Sequence, residues 1–321
     1  MVKDNKVIKA VLLGLLANFF LSAGLIVNSL MASNGSHWAW TASLRYLLLL
    51  PMLLIIVVAR KQAKPLARIF RSHGNMFIIW GNVSFGIFYG FLTYASLFGP
   101  GWLVAAGFET TILAGLLLSP IIYKDHRAKI PANAFILSSV LVVCIAIMQI
   151  DRIRFISDGR GVGLSLIFSL IAAFLWPLGN RKLMLTMEFK NIQLNSLQRV
   201  LGMTVGSLPS LIVLAMFGFL ESGLPGKYQL ITSLFAALLS GVLGSVLFYR
   251  AIQLVKNNPV ALATVEATQV TTIFFTLLAE VLFKGMEWPG SVGLLGCVLM
   301  IACLTCYSFY SIKKTNHNNK E

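Results

Sequence analysis

The chain has 321 residues, of which 57% are hydrophobic and only 12% charged, and its formal net charge is +15. Soluble domains carry roughly 25% charged residues, so the composition excludes a soluble fold and predicts an all-α integral membrane protein. The surplus of Lys and Arg reads as loop charge that orients the chain in a bilayer, not as a nucleic-acid surface, because no aromatic–basic interleaving or nucleic-acid motif accompanies it.

Apolar runs of the ~20 residues needed to cross ~30 Å of hydrocarbon predict ten spans, at 8–30, 38–59, 76–97, 101–123, 130–150, 162–180, 192–219, 230–252, 259–283 and 289–311. The first follows Lys3, Lys6 and Lys9. Its apolar run from Val7 to Met31 is longer than the core of a cleaved signal peptide and predicts an uncleaved helix. Asn18, Ser22 and Ser29 form a polar stripe on it. After "SNGSH" (33–37), span 2 carries Arg45 in "WTASLRYLLLLP". Span 3 has a stripe of Asn82, Gly86, Tyr89 and Thr93 at helical spacing. "FGPG" (98–101) leads to span 4, with Glu109 in "AAGFETTILAGLLLS".

"SDGRG" (157–161) separates span 5 from span 6, where Pro177 beside Trp176 removes a helix hydrogen bond and predicts a kink. Span 7 holds Arg199 in "LNSLQRVLGMTV", and span 8 offers Ser233, Ser240 and Gly244. After "KNNP" (256–259), span 9 carries Glu266 in "LATVEATQVTTIFFT", on one face with Gln269, Thr276 and Glu280. Cys144, Cys297, Cys303 and Cys306 fall in apolar runs and read as buried free thiols. No spacing predicts a metal or cofactor. His37, His73, His126 and His317 lie in loops or at helix ends and read as solvated.

With both termini cytoplasmic, the inner segments hold Lys3, Lys6, Lys9, Arg60, Lys61, Lys64, Arg68, Arg71, Lys124, Arg127, Lys129, Arg181, Lys182, Lys190, Lys256, Lys313, Lys314 and Lys320. The outer segments hold only Arg152, Arg154, Arg160, Lys227 and Lys284. The positive-inside rule therefore predicts that orientation.

The buried charges recur. Arg45 answers to Arg199 and Glu109 to Glu266, so residues 1–155 and 156–321 read as two five-span repeats. "VNSLM" (27–31) resembles "GNRKLM" (179–184), and "FLTYA" (91–95) resembles "VLFYRA" (246–251). An odd number of spans per repeat inverts the second copy, which places a substrate site near the midplane. Arg45 and Glu109 both lie ~11 Å below the outer surface at 1.5 Å per residue, and Arg199 and Glu266 at the mirrored depth. The expected pairs are Arg45 with Glu109 and Arg199 with Glu266, because a lone buried charge costs several kcal/mol. Such pairs serve either transport or packing, and the polar stripes either line a cavity or join helices.

These residues resemble the drug/metabolite transporter superfamily, with its two inverted five-helix EamA-type halves and an Arg early in helices 2 and 7. The segments "WTASLRYLLLLPMLL" (40–54), "GPGWLVAAGFETTILAGLLLSPIIY" (99–123), "FLWPLGNRKLM" (174–184), "LQRVLGM" (197–203) and "NNPVALATVEATQ" (257–269) look like its multidrug resistance efflux transporter branch. The resemblance implies an exporter of the bacterial inner membrane. Its small four-helix relatives couple protons through a glutamate in helix 1, which span 1 here lacks. Asn28–Ser29 also stands where Asn180–Arg181 leads one to expect an Asn-Arg pair.

The reading is a secondary transporter of a small organic molecule working by alternating access, with protons as the candidate coupling ion. Arg45, Glu109, Arg199 and Glu266 are the candidate substrate and coupling residues. Asn18, Ser22, Asn82, Tyr89, Thr93, Trp176, Ser240 and Gln269 are the candidate cavity lining. A metabolite exchanger without proton coupling is the alternative. A membrane enzyme or accessory protein is a more distant one, since no catalytic motif is present.

Overall fold

Wherever the sequence is apolar for a membrane's thickness the backbone closes its own hydrogen bonds, as hydrocarbon requires. The computed structural model describes residues 2–99, 101–153, 159–284, 288 and 290–317, and among them every regular element is helical. Helices α1 (Val2–Ser33) and α2 (Trp38–Ala59) each run unbroken. Next come α3 (Ala63–Gly81), a π-helical segment (Asn82–Ile87) and α4 (Phe88–Ala95). The fourth span is α5 (Gly101–Glu109) and α6 (Thr111–Ile122), followed by α7 (Ala132–Ile153).

The second half begins with α8 (Gly159–Phe189), then α9 (Ser196–Gly206) and α10 (Leu208–Ser222). Then come α11 (Lys227–Ala236), a second π-helical segment (Ala237–Gly244) and α12 (Ser245–Val255). The chain closes with α13 (Pro259–Ala267), a 3-10 turn (Thr268–Val270), α14 (Thr271–Lys284) and α15 (Ser291–His317). Eight described spans are long and apolar enough to cross a membrane. The α9–α10 pair, bent by 50°, makes a ninth, and the apolar part of α15, Ser291–Cys303, is shorter.

The structure departs locally from the expected reading. The third span starts early: α3 is amphipathic over its first turns, with Lys64 and Arg68 exposed and Leu66 buried, and it bends at His73 (φ −139°, ψ 28°). α8 continues as one helix through Pro177. It also extends past residue 180, so Arg181 is a helical residue, 5% exposed, and not a loop charge. Cys306 is exposed on the flank of α15, whereas Cys144, Cys297 and Cys303 are buried.

The real breaks fall elsewhere and in matching places. The third and eighth spans each carry a π segment, and the fourth and ninth are interrupted just after Glu109 and Ala267. Packing is crossed between the two parts of the chain. α1 lies against α12, the 237–244 segment and α14, whereas α8 lies against α4, the 82–87 segment, α5 and α6. Small residues set close approaches: a Cβ on Gly206 of α9 would run into the Phe77 carbonyl of α3. Ile55, Val213 and Leu220 stay exposed, as faces turned to lipid require.

Candidate functional site

The crossed packing leaves a cavity in the middle of the bundle. Asn18 of α1, Arg45 of α2, Tyr89 of α4 and Glu109 of α5 line it. So do Trp176 of α8, Ser240 of the second π segment and Gln269 of the 3-10 turn. It has about 60 Å³ for the centres of water-sized spheres. That holds a few waters and is far below the roughly 300–1,000 Å³ of a small-molecule pocket.

The structure replaces the expected Arg–Glu pairs. The Arg45 guanidinium lies 4.3 Å from the Tyr89 ring centroid and donates to Ser240 Oγ. The Tyr89 hydroxyl in turn donates to Asn28 Oδ1 at 2.8 Å. Arg199 repeats the arrangement, 4.5 Å from the Tyr249 ring, whose hydroxyl donates to Asn180 Oδ1 at 2.6 Å. Arg199 also donates to the Asn180 carbonyl at 3.4 Å. Among the described residues neither arginine reaches a carboxylate. Each charge is met by a ring face, an attraction worth up to about 2 kcal/mol when desolvated.

The match of "FLTYA" with "VLFYRA" set Tyr94 against Tyr249, but Tyr89 is the residue that does what Tyr249 does. Tyr94 instead packs edge-on to Trp38 and Phe168.

The carboxylates are treated unequally. Glu266 is bonded by Arg181 Nη2 at 2.5 Å, and Arg181 Nη1 also reaches the Gly115 carbonyl at 2.5 Å and Ser119 Oγ at 2.8 Å. Gly115 makes room for this, since a Cβ there would stand 2.8 Å from Arg181 Nη2. Glu109 is fully buried, accepts from the Thr272 hydroxyl through Oε1, and has no partner at Oε2 among the described residues. Asn18 donates to Thr268 Oγ1 at 2.8 Å, which leaves its Oδ1 unpartnered, as is Gln269 Oε1.

Three of the predicted lining residues serve packing. Ser22 donates to the Phe19 carbonyl and Thr93 to those of Tyr89 and Gly90. Asn82 bridges α3 and α9–α10 by donating to the Gly206 carbonyl and accepting from the Ser210 N–H. Glu266 does not line the central cavity. Arg199 lines a second hollow of about 420 Å³ that opens among Glu188, Asn195, Ser196, Gln253 and Lys256. Tyr249 borders both hollows.

At the rim of this second hollow, Arg127 joins Asp125 (2.6 Å) to Glu188 (2.7 Å) and covers the Tyr123 ring at 4.6 Å. The Asp125 carboxyl is held down to about 2 by hydrogen bonds from Arg127. Sequence reasoning missed Tyr249, Thr272 and Arg181 as site residues. The contrast of Asn28–Ser29 with Asn180–Arg181 was the available signal for the last.

The family model described as EmrE, "Putative multidrug resistance efflux transporter", matches residues 8–313. An uncharacterized protein of Bacillus subtilis (strain 168), YjlA, is 36% identical over 94% of this chain and 95% of its own length. An uncharacterized 42.1 kDa protein of Shouchella clausii is 38% identical over 82% of this chain and 70% of its own. A solved structure titled "Crystal structure of protein" shares the fold at a TM-score of 0.67 and 11% identity, covering 94% of this chain and 98% of its own. The central cavity and its buried charges thus sit in a multi-pass membrane protein that belongs to the EmrE-type multidrug resistance efflux transporter family of the drug/metabolite transporter superfamily.

Proposed function

We propose that this transporter exports a small organic molecule across the bacterial inner membrane by alternating access and that Glu109 exchanges a proton for it. The carrying observation is Glu109 itself: fully buried at the cavity wall, with one oxygen unpartnered and no cation bonded to it among the described residues. Leaving a carboxylate uncompensated in such a place costs several kcal/mol, which a proton or a polar guest removes. Glu266 already has Arg181 and is assigned to structure.

The unmet groups around the cavity suit a polar guest. Arg45 Nε offers a donor, and Asn18 Oδ1, Glu109 Oε2 and Gln269 Oε1 offer acceptors. With both termini cytoplasmic, the 420 Å³ hollow faces the cytoplasm and Tyr249 under Arg199 is the inner gate. Tyr89 under Arg45 is the outer one. In this assignment the two inverted halves rock about the cavity, which must widen before it holds an organic molecule.

The test is reconstitution. A thermal-shift panel of amines, carboxylates and zwitterions first supplies a ligand. Its movement is then followed in vesicles with and without a pH gradient. Glu109→Gln is expected to transport at the same rate whether or not the gradient is present. Gradient-driven transport that survives in E109Q ends the coupling role.

A further inference from the structure

A third buried carboxyl, Glu280, lies on the same face of α14 as Thr272. Thr272, Thr276 and Glu280 are spaced four residues apart on one continuous helix, so each lies ~6 Å from the next and the three span ~12 Å. All are within 3% of complete burial. Thr272 donates to Glu109 at the cavity end. Thr276 has a hydroxyl with no partner among the described residues. At the far end Ser29 of α1 donates to Glu280 Oε1 at 3.0 Å, and the start of α5 at Gly101 closes over both. α14 packs between α1 and α5, so this stripe is enclosed by protein.

We propose that this face of α14 is a proton path linking Glu109 to Glu280 and so to the end of the bundle opposite the 420 Å³ hollow. It rests on the reading of Glu109 as the proton-carrying group. The spacing fits the chemistry. One water between two hydroxyls spans about 5.6 Å with two hydrogen bonds of ~2.8 Å, close to the ~6 Å per helical step. The orphaned Thr276 hydroxyl is the stopping point for such waters. At each hop one O–H bond breaks and another forms. A proton leaving Glu280 arrives on Glu109, with Glu280 left as a carboxylate and no other reactant consumed. Ser29 faces Glu280, and Arg45, Tyr46, Tyr89 and Tyr249 line the cavity wall shared with Glu109.

The other half of the chain shows what blocks such a path. The residues of α6 that match Thr272, Thr276 and Glu280 are Gly115, Ser119 and Tyr123. There Arg181 fills the stripe, bonding the Gly115 carbonyl, Ser119 and Glu266 together. Ser29 occupies the place of that arginine in α1, and Thr272 brings a hydroxyl where Gly115 has none. One copy is thus plugged by a fixed cation and the other is left with hydroxyls.

The test needs no substrate. In purified protein in lipid nanodiscs, infrared spectroscopy isolates the protonated-carboxyl stretch that E109Q removes, and dilution into D2O times its exchange. Thr276→Val and Glu280→Gln are expected to keep the band but slow its exchange about tenfold or more. Thr276→Ser, which restores the hydroxyl, is expected to exchange at the wild-type rate. A slow T276S exchange would assign the T276V effect to packing and overturn the path. Wild-type exchange in both T276V and E280Q would overturn the path alone and leave the proposed function standing. If E109Q removes no protonated-carboxyl band between about pH 5 and 8, the proton-carrying role of Glu109 fails and the path falls with it.

Discussion

Arg181 holds Glu266 at 2.5 Å, and among the described residues no cation is bonded to Glu109, the residue that matches Glu266 in the other half of the sequence. Two carboxyls that look equivalent along the chain are therefore in opposite electrostatic positions.

Their neutral replacements separate them. Glu266→Gln strands the Arg181 guanidinium in a site 5% exposed, and breaking a buried pair by removing one partner costs about 3–5 kcal/mol. Glu109→Gln removes no ion pair and keeps an acceptor for Thr272, so its stability is expected within about 1 kcal/mol of wild type. Thermal unfolding in detergent orders the two. The double variant Arg181→Gln with Glu266→Gln is expected to recover part of the loss, since neither charge is then left alone.

Gly115 is expected to tolerate little. A Cβ would stand 2.8 Å from Arg181 Nη2 and 3.3 Å from its Cζ. Gly115→Ala must push the guanidinium away from Glu266, and a lowered melting temperature checks this. Overpacking of this kind costs about 1–3 kcal/mol. Gly115→Ala in the Arg181→Gln, Glu266→Gln background is expected to cost less.

The two tyrosines under the arginines are expected to respond alike. Tyr89→Phe and Tyr249→Phe each lose one hydroxyl bond, to Asn28 and Asn180. Each is expected to cost about 0.5–1.5 kcal/mol. Replacement by Leu removes the ring as well and is expected to cost more, by up to about 2 kcal/mol. Only Tyr249 borders the open hollow. Tyr249→Ala is therefore expected to let a water-soluble thiol reagent reach a cysteine placed at Ser240, whereas Tyr89→Ala is not.

The Arg127 clasp is expected to ignore physiological pH. The Asp125 carboxyl titrates at about 2, below its usual value, because Arg127 bonds its charged form. A depressed value means that its contribution is complete above the ordinary carboxylate range and is lost only as pH falls through about 2. Reagent access to a cysteine at Gln193, which lines the same hollow, is expected to be the same at about pH 5 and 8 once its rate is divided by that of the unfolded chain at each pH, which cancels the ionisation of the thiol itself. Arg127→Ala is expected to raise that access at both pH values by freeing Glu188. A pH-dependent change in the wild type would contradict it.

Much of the site was legible before any fold was known. Charged and polar residues in apolar runs are rare enough to mark themselves, and Asn18, Arg45, Tyr89, Glu109, Trp176, Ser240 and Gln269 all reach the central cavity. Hydropathy failed where a residue is near a span's end: Arg181 looked like a cytoplasmic loop charge because span 6 was ended at residue 180. It also failed where polar residues serve as helix contacts, as with Asn82 against α9–α10. The identity of Tyr89 as the counterpart of Tyr249 was hidden because a five-residue offset gives a better local match of letters.

The sequence by itself determined most of the helical spans, the burial of Arg45, Glu109, Arg199 and Glu266, and the family, because the cost of polar groups in hydrocarbon is paid residue by residue and is visible along one dimension. Only the tertiary structure decided which charge meets which. Depth constrains a partner along the membrane normal, but the choice among groups at similar depth depends on which helices are neighbours and which way each face turns. Here α1 and α8 each pack across onto the other part of the chain. That packing brings Arg181 to Glu266, lays Arg45 and Arg199 on tyrosine rings, and leaves Glu109 facing a cavity with a hydroxyl, and no cation among the described residues, bonded to it.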